Sequence, residues 1–461
     1  MAERTRESNA ERERSVVERY HERTEVSRAH YEEACEYLPG GNTREVLYYE
    51  PYPAYLVGGE GAYVTDADGT EYLDLLNNYT SLIHGHAPPE SVEAAVDAVR
   101  RGSAPGGPTS DEIDLARHLV ERAPAVEKVR FTNSGTEATM NAIRAARAYT
   151  GNDVIAKFEG AYHGTHDDAQ VSVHPPRHLA GPADAPESVP DSAGVPASKR
   201  EEVIALPFND AEATVETLDR HREELAGVLV APYMGSAVIQ IDDGFLGTLS
   251  EWTDREDVPL IFDEVISFRV AYGGAHAALE VEPDLVTYGK VVGGGFPVGG
   301  FGGREELMAP FDPRGGSTVV HSGTFNANPV TASAGLATLE RFDERAVERL
   351  DELGAYLATA SRDVIADRGM KLQVNRVGSL FALYLTPHPV ETFRDTDGVD
   401  ALERRLFHEL MEEGVRLAPT LMGCLSTPMD EPEVDRFVEA LDSTLSRMRP
   451  TVTARAPALL G

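Results

Sequence analysis

The sequence predicts an α/β fold: a large domain with a mostly parallel sheet flanked by helices, followed by a smaller α+β domain. Two patterns carry that prediction. From about residue 88 to 310, helical stretches such as "SVEAAVDAVRRG" and "EATMNAIRAARAYTG" alternate with short β-rich runs, "KVRFTN", "DVIAKF", "GVLVAP", "PLIFDEV" and "DLVTYG". That alternation is the signature of parallel strands joined by crossover helices. After residue 330 the order changes, and long helices lead into "LQVNRVG" and "LFALYL" and then into further helices. The 461 residues, 41% of them hydrophobic, suffice for more than one core.

Taken in chain order, residues 8–37 carry charges at helical spacing and predict an N-terminal helix that ends before "PGG" at 39–41. It reads as the start of an arm, residues 1–60. "GAYVTDADGTEYLDLL" alternates on either side of Asp68-Gly69 and predicts a hairpin. Residues 61–330 are assigned to the large domain and 331–461 to the small one. Within the former, 166–200 is rich in Pro, Ala, Ser and Asp and lacks a period, so it reads as a long loop, open to movement.

The net charge of −35 is spread along the chain in runs such as "RFDERAVERLDELG". Such a field repels nucleic acid and anionic membranes, and its self-repulsion favours a salty solvent. Lysine is scarce: five of the 42 basic residues, the rest arginine. Together these features resemble proteins of salt-accumulating cells, with an ordinary acidic mesophile protein as the plainer alternative. Two cysteines, Cys35 and Cys424, suggest neither a disulfide framework nor a zinc site, which fits a reducing, cytoplasmic setting. No signal peptide or membrane span is indicated.

Scarcity singles out Lys290, in "DLVTYGKVVGGGFPVGG", between a strand end and a run of glycines. The lysine precedes the glycines, so the segment is no Walker loop, and it has no GxGxxG in any register. A lysine beside glycines that let a flat ligand approach the backbone suits a Schiff base with an aldehyde cofactor. A solvated turn lysine is the plainer alternative. "PLIFDEV" ends in Asp263 and Glu264; an acid at the sheet edge can hold the proton of a pyridine nitrogen. An exposed strand-end acid is the plainer reading, more so for Glu264 than for Asp263.

"FTNSGTEATMNAIRAAR" places Ser134, Gly135 and Thr136 at a helix N-terminus, where free N–H groups favour a phosphate. A simple N-cap explains the same letters. Tyr162 follows a strand and a glycine, where an aromatic can stack on a flat cofactor. His163, His166, Asp167 and Asp168, or His84 and His86, raise a metal site, yet neither cluster makes HExxH or a similar zinc pattern, and no metal is assigned. Thr324 lies in a polar loop, "HSGTFNANP".

Lysine, aspartate, Ser-Gly-Thr, tyrosine and threonine in this arrangement resemble the class III (ω-) aminotransferases, pyridoxal phosphate enzymes of fold type I. The resemblance covers nearly the whole chain, and its nearest patterns are glutamate-1-semialdehyde 2,1-aminomutase and the β-amino acid (β-phenylalanine type) aminotransferases. It implies pyridoxal 5'-phosphate bound to Lys290, which also moves the proton, with Asp263 on the pyridinium nitrogen. Val265 and Tyr162 would cover the two ring faces, Ser134, Gly135 and Thr136 would bind the phosphate, and Thr324 would reach the neighbouring subunit's phosphate in a homodimer.

Where the aminomutase pattern reads "PGGVNSPVR" this chain reads "PGGNTREVLYYEPYP", and "DEVMTGFR" is here "DEVISFR". Both differences resemble the β-amino acid enzymes, with Arg44 clamping a substrate carboxylate and Tyr79 near its side chain. Two departures stand against them: Thr420 where that pattern has an arginine for the acceptor, and Ala231 where the family has glutamate. The expectation is amino transfer from a β- or other non-α amino acid to a 2-oxo acid. The alternatives are an intramolecular aminomutase and, from another class, a non-catalytic assembly protein of the same fold.

Overall fold

The computed structural model describes residues 16–234, 238–316, 318–396, 398 and 400–461. The first eight residues of the expected N-terminal helix lie outside them. The remainder is helical over 16–23 and again over Glu25–Cys35, with a break at Thr24. There the Thr24 hydroxyl donates to the Tyr20 carbonyl at 2.5 Å, the back-bonding by which threonine bends helices.

Strands β1 (Leu56–Glu60), β2 (Tyr63–Asp66) and β3 (Glu71–Asp74) form an antiparallel meander. The turn after β2 is fixed by Asp66 Oδ1, which accepts from the N–H groups of Asp68 and Thr70, and Gly69 supplies the required φ of 84°. β3 is joined in parallel by Val415–Arg416, which ties this meander to the C-terminal part of the chain.

The large sheet contains β4 (Lys128–Thr132), β5 (Val154–Phe158), β6 (Val203–Leu206) and β7 (Leu225–Val230), then, after a small ribbon of β8 (Tyr233–Met234) and β9 (Ile239–Gln240), β10 (Leu260–Asp263), β11 (Leu285–Gly289) and β12 (Gly299–Gly303). Its order is β4-β12-β11-β10-β7-β5-β6, and β12 alone runs against the other six. The mostly parallel sheet expected from the alternation is therefore present. β5, β7, β10 and β11 are buried along their length, which is why they read as continuous apolar runs.

β12, "GGFGG", carries almost no strand signal because its job is to let neighbours approach. A Cβ on Gly299 would sit 1.9 Å from the Ser134 carbonyl oxygen. The helix Gly135–Thr150 packs on the sheet through small residues, with Ala138, Ala142, Ala145 and Ala146 all buried. It ends at Gly151 in the left-handed conformation.

β13 (Gln373–Val377), β14 (Leu380–Tyr384) and β16 (Met422–Cys424) make a second antiparallel sheet, β15 being Val415–Arg416. The helices Glu344–Asp367 and Glu431–Arg455 contribute buried Leu350, Leu357, Phe437, Leu441 and Leu445 to one core with it. The 166–200 segment packs against its neighbours through specific contacts. Val171 bridges to Pro190, Asp191 accepts from the N–H groups of Val173 and His174, and Arg394 reaches back to the carbonyls of Ala180 and Gly181. Among the described residues no helix is long and apolar enough to cross a membrane.

Candidate active site

The C-terminal ends of the parallel strands open on a cavity of about 410 Å³. That edge is where open α/β sheets present their loops to ligands. β4 delivers Ser134, Gly135 and Thr136, β5 delivers Tyr162 and His163, β7 delivers Ala231, β10 delivers Asp263 and Val265, and β11 delivers Lys290; all line the cavity. Arg44 and Tyr79 complete the wall from the N-terminal side. Thr324 and Thr420 do not line it, and both are exposed.

Asp263 is 7% exposed and its carboxylate is held from three sides. Oδ2 accepts from His163 Nδ1 at 2.7 Å, and Oδ1 accepts from the Val265 N–H at 3.1 Å and the Thr287 hydroxyl at 2.9 Å. Burial works against the charge, but the His163 hydrogen bond, the Val265 N–H and the Thr287 hydroxyl outweigh it and hold the carboxyl below its usual range. A carboxylate offers about four acceptor positions. Three are filled, which leaves one for a donor in the cavity.

Burial pushes His163 down, so its ring is neutral; with Nδ1–H given to Asp263, its Nε2 is buried and has no partner among the described residues. Lys290 follows Gly289 with φ 50°, a left-handed conformation that costs an ordinary residue about 1–2 kcal/mol. Burial pushes its ammonium down to about 8, although the Asp263 carboxylate pulls the other way. Glu264, expected to be an exposed acid, is instead fully buried: Oε1 accepts from the N–H and Nδ1 of His276, and Oε2 from the N–H of Ala275. It caps the short helix Ala275–Ala278 and leaves Asp263 as the cavity's carboxylate.

At the helix N-terminus both readings of "NSGTE" hold together. Ser134 Oγ accepts from the Glu137 N–H at 3.2 Å, while Glu137 Oε2 accepts from the Asn133 N–H at 2.8 Å. The N–H groups of Gly135 and Thr136 belong to the first turn, whose donors have no partner inside the helix. A Cβ on Gly135 would stand 2.9 Å from both Val265 methyl groups, so only glycine lets that turn close over Val265. An acceptor-rich carboxylate, an amine that sheds its proton near neutral pH, and a glycine-lined anion cradle are the donor set that pyridoxal phosphate requires. The residues present fit that cofactor.

The N-terminal wall is unusual. Asn77, Asn78, Tyr79 and Thr80 all have positive φ, between 46° and 75°. Arg44 Nη1 donates to Asn78 Oδ1 at 3.0 Å, and the guanidinium carbon lies 5.8 Å from the centre of the Tyr79 ring. Tyr233, which sequence reasoning did not single out, also lines the cavity, and burial pushes its phenol up to about 12.

The other histidines are otherwise engaged. His166 pairs with Thr139 Oγ1, His84 with Thr427 and the Thr338 carbonyl, and His86 with Asp74, while Asp168 is paired with Arg147 and Lys199. Among the described residues no group of three or more His, Cys, Asp or Glu is placed to hold a metal ion.

Comparison with known proteins places the whole chain rather than its single residues. The family described as aminotransferase class-III matches residues 48–428. The chain belongs to the class III aminotransferases. Pyridoxal phosphate is the cofactor of this family. The chain is 41% identical over 424 residues to a glutamate-1-semialdehyde 2,1-aminomutase from Methanothermobacter thermautotrophicus, an alignment covering 91% of this chain and 98% of that protein. Among solved structures it resembles an ω-transaminase from Sphaerobacter thermophilus (45% identity, TM-score 0.89, covering 92% and 98% of the two chains). It also resembles a β-phenylalanine aminotransferase from Variovorax paradoxus (34% identity, TM-score 0.87, covering 97% and 98%). Further curated relatives at 36–43% identity carry the aminomutase name, which supports the intramolecular alternative better than the transamination favoured by the sequence motifs.

Proposed function

We propose that this class III aminotransferase moves an amino group within one small carboxylate-bearing substrate, as a glutamate-1-semialdehyde 2,1-aminomutase does. The observation that carries amino transfer is the convergence of Lys290 and Asp263 on one cavity, with the helix start at Ser134 beside them. The intramolecular form is supported by the relatives' names and by the cavity wall, where Arg44 is the sole arginine among the described residues. A transaminase that alternates between an amino donor and a dicarboxylic 2-oxo acid has a second carboxylate to accommodate, and Thr420 stands outside the wall.

When bound, pyridoxal phosphate supplies an aldehyde that takes up an amine nitrogen and a protonated ring that draws off the electron pair left on carbon. Asp263 accepts the ring N–H and, held as a carboxylate by His163, Val265 and Thr287, keeps that proton in place. Lys290 anchors the cofactor and, once its amine is free, takes the proton from one carbon and returns it to another, a task suited to a group at about 8. Ser134, Gly135 and Thr136 hold the phosphate, and Val265 and Tyr162 confine the ring. Arg44 grips the substrate carboxylate with two parallel N–H groups beside Tyr79. The working unit is a homodimer: Thr324, exposed on its own subunit, reaches the partner's phosphate.

A second reading has a specific observation behind it. Arg44, in "PGGNTR", is stacked on Tyr79 at the cavity wall, and the Sphaerobacter relative is a transaminase. Under that reading a β-amino acid gives its nitrogen to a 2-oxo acid. The deciding experiment supplies the loaded enzyme with glutamate 1-semialdehyde and no oxo acid. Formation of the 5-amino-4-oxo isomer supports the proposal; turnover of 3-amino-3-phenylpropanoate only when 2-oxoglutarate is added replaces it with the second reading. Failure of both reactions on the loaded enzyme overturns amino transfer.

A further inference from the structure

We infer that Asn78 is a positioning residue that aims Arg44 at the substrate carboxylate, and that the left-handed run 77–80 exists to hold it there. The inference rests on the reading of Arg44 as the carboxylate clamp, which both proposed reactions share. Arg44 is exposed and has no carboxylate partner among its described hydrogen bonds and ion pairs; Asn78 Oδ1 is the side-chain acceptor of its Nη1. Arginine only donates, so the Asn78 amide is fixed with its oxygen toward the guanidinium. A neutral acceptor orients the cation without neutralising it, which leaves the charge for the ligand.

The run that carries Asn78 is tethered at every residue. Asn77 Nδ2 donates to the Cys424 carbonyl at 3.0 Å, the Tyr79 hydroxyl donates to the Val46 carbonyl, and the fully buried Arg269 donates from Nη1 to the Thr80 carbonyl at 2.7 Å. Ser81 Oγ donates to the carbonyl of Asn78 itself at 3.0 Å. Asparagine tolerates positive φ, but a tyrosine and a β-branched threonine in succession do not adopt it without such restraint. The Val46 contact also ties the run to the segment that bears Arg44, so both partners are set by one device.

The test compares Asn78→Gly, Asn78→Asp and Arg44→Ala in the holoenzyme, on whichever of glutamate 1-semialdehyde or 3-amino-3-phenylpropanoate the wild type turns over. Glycine accepts φ 48° freely, so Asn78→Gly removes the amide without straining the turn. It is expected to raise KM about tenfold with a much smaller change in kcat, the mark of lost preorganisation in binding. Asn78→Asp is expected to raise KM further, because its carboxylate pairs with Arg44 and repels the substrate's. An unchanged KM in Asn78→Gly, or an aspartate variant no worse than the glycine variant, overturns the inference while Arg44→Ala still raises KM. If Arg44→Ala leaves KM unchanged, or the wild type turns over neither substrate, the clamp reading fails and the inference falls with it.

Discussion

The most informative property of the site is the acidity of Lys290. Burial places it at about 8, so the amine sheds its proton well below the range of an ordinary lysine. At pH 7.5 a lysine near the reference value is neutral to about one part in a thousand, one at about 8 to about a quarter, a gain of roughly 200-fold in reactive amine. Only the neutral amine attacks an aldehyde. The assay strips the cofactor, adds pyridoxal phosphate to the apoprotein and follows uptake by absorbance from pH 7 to 10. The rate is expected to climb to a bend at about pH 8 and then level. Asp263 pulls the value up, so Asp263→Asn moves the bend to lower pH. A rate still climbing through pH 10, or a bend that rises in Asp263→Asn, shows that burial does not set the acidity of Lys290.

Three further outcomes follow from the packing. Arg394→Ala leaves the buried Glu159 carboxylate without its partner and unties residues 180–181, and is expected to cost about 2–3 kcal/mol in urea unfolding, less than a fully buried pair because Arg394 is partly exposed; no shift in the midpoint contradicts it. Lys157, 1% exposed at the end of β5, is pushed down to about 7 by burial. The unfolded chain therefore binds more protons between about pH 7 and the usual lysine value, and stability rises with pH across that window. Lys157→Met is expected to flatten that rise; an unaltered pH slope counts against it. Finally, with a net charge of −35, the protein is expected to lose activity and unfold as salt is withdrawn, and full stability in dilute buffer rules that out.

Much of the fold was legible because the buried parallel strands announce themselves as apolar runs between helical periods. β12 was not, since four of its five residues are glycine, and the reason lies in the close approach of the Ser134, Lys128 and Asp284 carbonyls to Gly299, Gly302 and Gly303, which no local pattern encodes. β6 is four residues long and follows the unperiodic 166–200 stretch. In the site, Lys290, Asp263 and the Ser134 helix start were readable from residue type and position. The support for Asp263 was less so: His163 looked like a stray metal ligand, and Thr287 becomes visible only when β10 and β11 are set in register, which places it opposite Asp263. Glu264 was misread because its partners, at 275 and 276, form a cap that exists only in three dimensions. Nothing in "NNYT" beyond its two asparagines hinted at a left-handed run.

Lys290 is the residue proposed to carry the cofactor. The most direct test loads the protein with pyridoxal phosphate, reduces it with borohydride and maps the modified peptide by mass spectrometry. Five lysines make the assignment unambiguous. The cofactor's mass is expected on Lys290 alone and is lost in Lys290→Ala; the same mass on Lys157 or another lysine, or none on a loaded protein, rules out Lys290 as the anchor.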